Sequence, residues 1–129
     1  RAMDEAIKYA QERSQHGKPI AGHQLIADKI ASMATKIDAG RLLAHRAMSM
    51  VQADQRADVE CSMAKWYGTE IAVTATRDAV EIHGGNGVTK EFVVERLARE
   101  AIISPIPDGT TEIQKLLIAR GLTGISAFK

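Results

Sequence analysis

One cysteine, Cys61, is all the thiol chemistry this 129-residue chain carries. With no second thiol to pair with, it fits a reducing compartment, and its place inside a helix-periodic stretch predicts a small core residue. An excess of charge is also missing. Seventeen basic side chains against sixteen acidic ones leave a net charge of +1, so no field is built for nucleic acid or for an anionic membrane surface. No apolar run nears the roughly 20 residues of a membrane span, and no charged-then-apolar leader stands before the first helix. A soluble domain is expected, long enough at this length to bury one core. Strand-like alternation is absent throughout. So is metal-ligand spacing: His16, His23, His45 and His83 form no H-E-x-x-H, no Glu-x-x-His occurs, and no metal site is expected.

What the chain does have is helical periodicity. Met3, Ile7 and Ala10 make a stripe that runs out near Gln15, before Gly17-Lys18-Pro19. No capping residue precedes this first helix, which reads as a segment cut from a longer chain. From His23 to about Val51 the apolar positions are Ile26, Ile30, Met33, Ile37, Leu43, Ala47 and Met50. After the polar turn Asp54 to Arg56, a third helix runs from Ala57 through Met63, Trp66 or Tyr67, Ala75, Ala79 and Ile82 to the glycines. Phe92, Leu97 and Ile102 mark a short fourth helix. Thr111 to about Gly121 is a fifth, with Ile113, Leu116, Leu117 and Ala119 apolar. Long helices joined by short turns pack as antiparallel neighbours, so the expected fold is an all-α up-and-down bundle of four to five helices spanning residues 1–129 as one domain. Frequent alanine permits close packing.

Two loops bracket the fourth helix. His83-Gly84-Gly85-Asn86-Gly87 supplies backbone that can take positive φ and let a bulky ligand approach. It is no dinucleotide fingerprint, because the third glycine is replaced by Lys90 and the loop follows a helix instead of a strand. In Ser104-Pro105-Ile106-Pro107-Asp108-Gly109-Thr110, two prolines end one helix and stiffen the approach to Asp108, while Thr111 and Gln114 spell a T-x-x-Q capping box. Asp108 at this helix entrance is either a helix cap or a positioned acid or base. Arg13 and Lys18 suit the negative end of the first helix dipole; Arg13 is equally suited to a phosphate. Gln24 and Glu112 read as helix-surface residues.

Three signatures, in order and spacing, resemble the C-terminal helical domain of the acyl-CoA dehydrogenase family over essentially the whole chain. They are Ala10-x-x-Arg13 with Gly17-Lys18 and His23-Gln24; Ile82-His83-Gly84-Gly85-Asn86-Gly87 followed by Glu95-Arg96 and Arg99-Glu100; and Asp108-Gly109-Thr110-Thr111-Glu112-Ile113-Gln114. The resemblance implies a flavoenzyme of helical, β and helical domains, only the last of which is in this chain. It implies FAD as cofactor, an acyl-CoA substrate, electron-transferring flavoprotein as acceptor, and a homodimer or homotetramer, cytoplasmic in a bacterium or in the mitochondrial matrix of a eukaryote. Carried over position by position, Arg13, Gln24, Gly84 and Gly85 meet the FAD of a neighbouring subunit, and Thr110 and Glu112 the FAD of their own. Asp108 stands where most members place the glutamate that removes the α-proton of the thioester. There are departures. Aspartate is one methylene shorter, a pattern similar to members acting on cyclic carboxyl-CoA thioesters; other members place the base upstream of this domain. His16 replaces a usual Phe and Glu81 a common Gln. The tail Gly121 to Ile125 resembles glutaryl-CoA-type members, whose reaction adds decarboxylation. The alternative outside enzymology is a helical assembly module that kept the fold without the chemistry.

Overall fold

In a computed structural model of the chain, which describes residues 1–128, five helices account for most of the backbone: α1 (Ala2–Glu12), α2 (Gln24–Gln52), α3 (Asp58–His83), α4 (Val94–Ile103) and α5 (Thr111–Thr123). The bundle is the all-α fold the periodicity predicts. At 1.5 Å per residue, α2 and α3 are each roughly 40 Å long, and the turn at Ala53–Ala57 sets them antiparallel. α3 is the hub: it packs against each of the other four helices. Its buried face carries Ile71, Ala75, Ala79 and Ile82, a helical i, i+4, i+8, i+11 stripe.

The core gathers Ala6 and Ala10 of α1, Ile20, Met33 of α2, Ala75, Ala79 and Ile82 of α3, and Val94 of α4. Alanine supplies most of the buried apolar positions, which lets the helix axes approach closely and leaves Met33 and Val94 as the largest fully buried side chains. On the open flank between α2 and α3, Lys29 Nζ bridges Asp78 at 3.1 Å and Glu81 at 2.5 Å.

Four expectations need correction. α1 ends at Glu12, not near Gln15, because Arg13 turns to extended backbone (φ −77°, ψ 123°). Strand is present just beyond it: Ser14–Gln15 pairs antiparallel with Lys18–Pro19 as β1 and β2. The reversal uses His16 and Gly17, both at positive φ (53° and 77°), the two-residue turn that best matches strand twist. Two-residue strands carry too few side chains to show alternation. Cys61 is exposed, since the buried register in that turn of α3 falls on Ser62. In α4 it is Ala101 that is buried, while Ile102 stands outward.

Candidate functional site

The loop between α4 and α5 is held from both sides. Lys65 of α3, half-buried, donates from Nζ to the carbonyls of Pro105 (3.2 Å) and Gly109 (2.7 Å). Gln114, buried in the first turn of α5, donates from Nε2 to the carbonyls of Gly109 (3.1 Å) and Asp108 (3.4 Å). Thr111 Oγ1 donates to Glu70 Oε1 of α3 at 3.1 Å. Between these ties, Asp108 takes φ 56° and Gly109 φ 94°. A Cβ at Gly109 would stand 2.6 Å from Gln114 Nε2, so glycine there allows both the turn and the amide's approach.

Asp108 is not the helix cap. That role falls to Thr110, in extended backbone, whose Oγ1 accepts from the Ile113 N–H at 3.5 Å. Nor do Thr111 and Gln114 form a capping box: their side chains turn to Glu70 and to the loop carbonyls. Asp108 is left exposed, and among the described residues its carboxylate has no ion-pair partner and its backbone N–H no carbonyl. An acceptor and a donor on one residue are both free for a ligand. Beside it, the Thr110 hydroxyl holds the exposed Glu112 carboxyl below the usual carboxylate range, so Glu112 is an anion suited to accept from hydroxyls or N–H groups and unsuited to a phosphate.

A second cluster forms at the other end of α3, where a cleft of about 250 Å³ is lined by residues that include Tyr9, Arg13, His83, Gly84, Gly85 and Asn86. Arg13 is exposed and without a carboxylate partner among the described residues. Gly84 takes φ 59° as α3 ends; Gly85 does not need positive φ. A Cβ at either glycine would point into open space, so the backbone itself forms the wall. Tyr9 and His83 stack at 4.2 Å, with Phe92 edge-on to both. His83 Nδ1 lies 2.7 Å from the Ala79 carbonyl and must donate to it, and Asn86 Nδ2 donates to the Tyr9 hydroxyl at 2.9 Å. Gln24 lies outside this cleft, exposed at the start of α2, and Lys18 donates to the Gly22 carbonyl instead of closing α1. An unpaired guanidinium beside open glycine backbone fits the anionic part of a dinucleotide, whereas the hydroxyl and carboxylate pair Thr110 and Glu112 fits its neutral polyol part.

The family model "Acyl-CoA dehydrogenase, C-terminal domain" matches residues 1–123. The chain belongs to the acyl-CoA dehydrogenase family. It is similar to caffeyl-CoA reductase-Etf complex subunit CarC of Acetobacterium woodii, 48% identical over 92% of this chain and 31% of that protein. To 3-(aryl)acrylate reductase of Clostridium sporogenes it is 43% identical over 94% of this chain and 32% of that protein. Among solved structures, glutaryl-CoA dehydrogenase from Mycobacterium smegmatis in complex with FADH2 superposes with a TM-score of 0.94 at 29% identity, over 99% of this chain and 33% of that one. The chain thus spans about a third of the length of the curated relatives it matches.

For an acyl-CoA dehydrogenase domain, then, the structure brings Arg13, Gly84 and Gly85 together and sets Asp108, Thr110 and Glu112 apart from them. The eighteen-residue interval from Lys65 to His83 along α3 separates the clusters by roughly 27 Å. Lys65, Glu70, Tyr9 and Asn86 were not legible as site residues, because their partners lie 40 to 77 positions away in sequence. A lysine inside an otherwise apolar helical stretch was the one signal available for Lys65.

Proposed function

We propose that this chain is the C-terminal domain of a longer, FAD-dependent acyl-CoA dehydrogenase, and that Asp108 removes the α-proton of the thioester. The observation that carries the reading is the isolation of Asp108: a carboxylate and an N–H both unpartnered among the described residues, on a loop fixed by Lys65 and Gln114. The thioester α-carbon gives its proton to the Asp108 carboxylate while a hydride leaves the β-carbon, and the Asp108 N–H is placed to stabilise the charge that develops on the thioester oxygen. FAD, when bound, supplies the acceptor for the hydride. Thr110 and Glu112 hold the cofactor of their own subunit. Arg13, Gly84, Gly85 and, from the start of α2, Gln24 reach that of a neighbour, which makes the working enzyme a homo-oligomer. Electron-transferring flavoprotein is the proposed electron partner, a reading supported by the Etf-complex relative.

Two relatives named as reductases favour a second direction of the same chemistry. A protonated Asp108 then delivers the α-proton to an α,β-unsaturated thioester as hydride, which bound and reduced FAD would supply, arrives at the β-carbon. The test of both is Asp108→Asn in the intact enzyme. Flavin reduction by a saturated thioester and reoxidation of reduced flavin by an unsaturated one, each followed by rapid-mixing absorbance, are expected to fall at least about 10²-fold with FAD still bound. Undiminished reduction would move the base upstream of Arg1.

A further inference from the structure

We infer that Lys65 is the positioning residue for the Asp108 loop, and this rests on Asp108 being the base. Its ammonium has no carboxylate within ion-pair distance among the described residues. A half-buried lysine without a counter-charge costs stability unless its protons are spent on acceptors. Here two of its three N–H donors go to backbone carbonyls on either side of Asp108, at Pro105 and Gly109. Five residues lie from Pro105 to Gly109, and the ammonium ties the first to the last. The segment between them closes into a loop whose width is set by one side chain anchored on α3, the helix that packs against all the others.

The direction of these bonds matters as much as their number. Gly109 O receives both Lys65 Nζ and Gln114 Nε2, so the peptide plane that follows Gly109 is held with its carbonyl toward α3 and α5, and Gln114 Nε2 also reaches Asp108 O, in the plane before it, at 3.4 Å. Fixing these planes restricts ψ of Gly109 and of Asp108, both at positive φ, while Asp108 stays exposed and its N–H has no carbonyl partner among the described residues. Without the ammonium, Gly109 O keeps one weaker amide bond and Pro105 O keeps only the Thr111 N–H at 3.1 Å. The loop then samples other values of ψ, and a base displaced by about 1 Å loses rate steeply. Lys65 acts through the loop and touches no reacting atom, so it is a positioning residue and its loss slows proton removal without weakening thioester binding.

The experiment uses the intact holoenzyme and a thioester with sulfur in place of the β-carbon, which cannot lose a β-hydride. Exchange of its α-hydrogens with deuterium oxide then reads the base alone. Lys65→Met is expected to slow this exchange at least 10-fold and to lower kcat in parallel, with KM within about 3-fold and FAD content unchanged. Amide exchange of residues 106–111 should quicken in the same variant. Lys65→Arg, which keeps a cation with several donors, should recover most of the α-exchange. Loss of exchange in Asp108→Asn combined with full exchange in Lys65→Met overturns the Lys65 assignment and leaves the base reading standing. Full exchange in Asp108→Asn overturns the base reading itself. Should Lys65→Met fail to fold, Lys65→Gln, which keeps an amide donor for one carbonyl, is run on the same readouts. Misfolding of both would make Lys65 a structural residue only and overturn the inference.

Discussion

Asp108 holds φ 56° without being a glycine, and that fact separates its backbone role from its chemical one. A residue with a Cβ in the left-handed region carries a cost of roughly 1–2 kcal/mol that Asp and Asn reduce by local hydrogen bonding. Since Thr110 provides the cap, Asp108 contributes to folding mainly through this tolerance. Asp108→Asn should therefore leave stability within about 0.5 kcal/mol, whereas Asp108→Ala should lose roughly 1 kcal/mol more, read by denaturant midpoints. Equal midpoints for the two variants would mean that the loop relaxes out of the left-handed region at no cost. Before the fold is known, the Pro-Asp-Gly spacing marks this turn and the His83–Gly87 loop is marked as able to take positive φ, which Gly84 does. The sign of φ at Asp108 and at His16 is not legible, because it is imposed by contacts with Lys65, Gln114 and a paired strand.

At the scale of elements, all five helices are visible in the apolar spacing, with ends right to within about three residues, since burial of one face is a local property of the sequence. The β1–β2 pair and the exposure of Cys61 are not, because a two-residue strand has no period and an apolar stripe drifts by a residue along a 26-residue helix. The α2–α3 contact adds a charged zipper that pH can open. Hydrogen bonding to Lys29 lowers the Glu81 carboxyl, and Glu81 with Asp78 raises the Lys29 ammonium. A lowered carboxylate stabilises the fold above its unfolded value, about 4.3, and that contribution is lost as pH falls through the lower folded value. The raised lysine has the opposite sign: its share is complete at neutral pH and is lost only as pH climbs through a value above 10.5. Both shares are present across the neutral range. Glu81 is half exposed, 48% at its side chain, so solvent screening keeps the effect under about 1 kcal/mol. Glu81→Gln should be slightly less stable than the parent at pH 7, with the two converging as pH falls below 4. Stability curves that stay parallel from pH 7 to pH 3 would show that the zipper contributes nothing.

For the whole molecule the deciding fact is that the two clusters proposed to meet the cofactor sit at opposite ends of α3, roughly 27 Å apart, and that neither encloses a volume by itself. Arg13, Gly84 and Gly85 line an open cleft; Asp108, Thr110 and Glu112 lie on or near the surface. A flavin dinucleotide is a large ligand, and sites for such ligands bury most of the ligand's surface. One copy of this domain offers only one wall to each end of a cofactor. Apolar side chains are exposed as well: Leu25, Leu42, Met48 and Val51 on α2, Ile102 and Ile103 at the end of α4, Ile106 in the Asp108 loop, Leu122 at the end of α5 and Ile125 after it. Patches of this kind on a folded bundle seek partners. The 129-residue chain alone should therefore give a helical circular dichroism spectrum, sediment as a self-associating species whose mass rises with concentration, and come off purification colourless. Added FAD should leave its fluorescence unquenched at micromolar protein. A strictly monomeric, stoichiometrically yellow domain would mean that one copy closes around the cofactor, and the assignment of Arg13, Gln24, Gly84 and Gly85 to a neighbouring subunit's FAD would then be wrong.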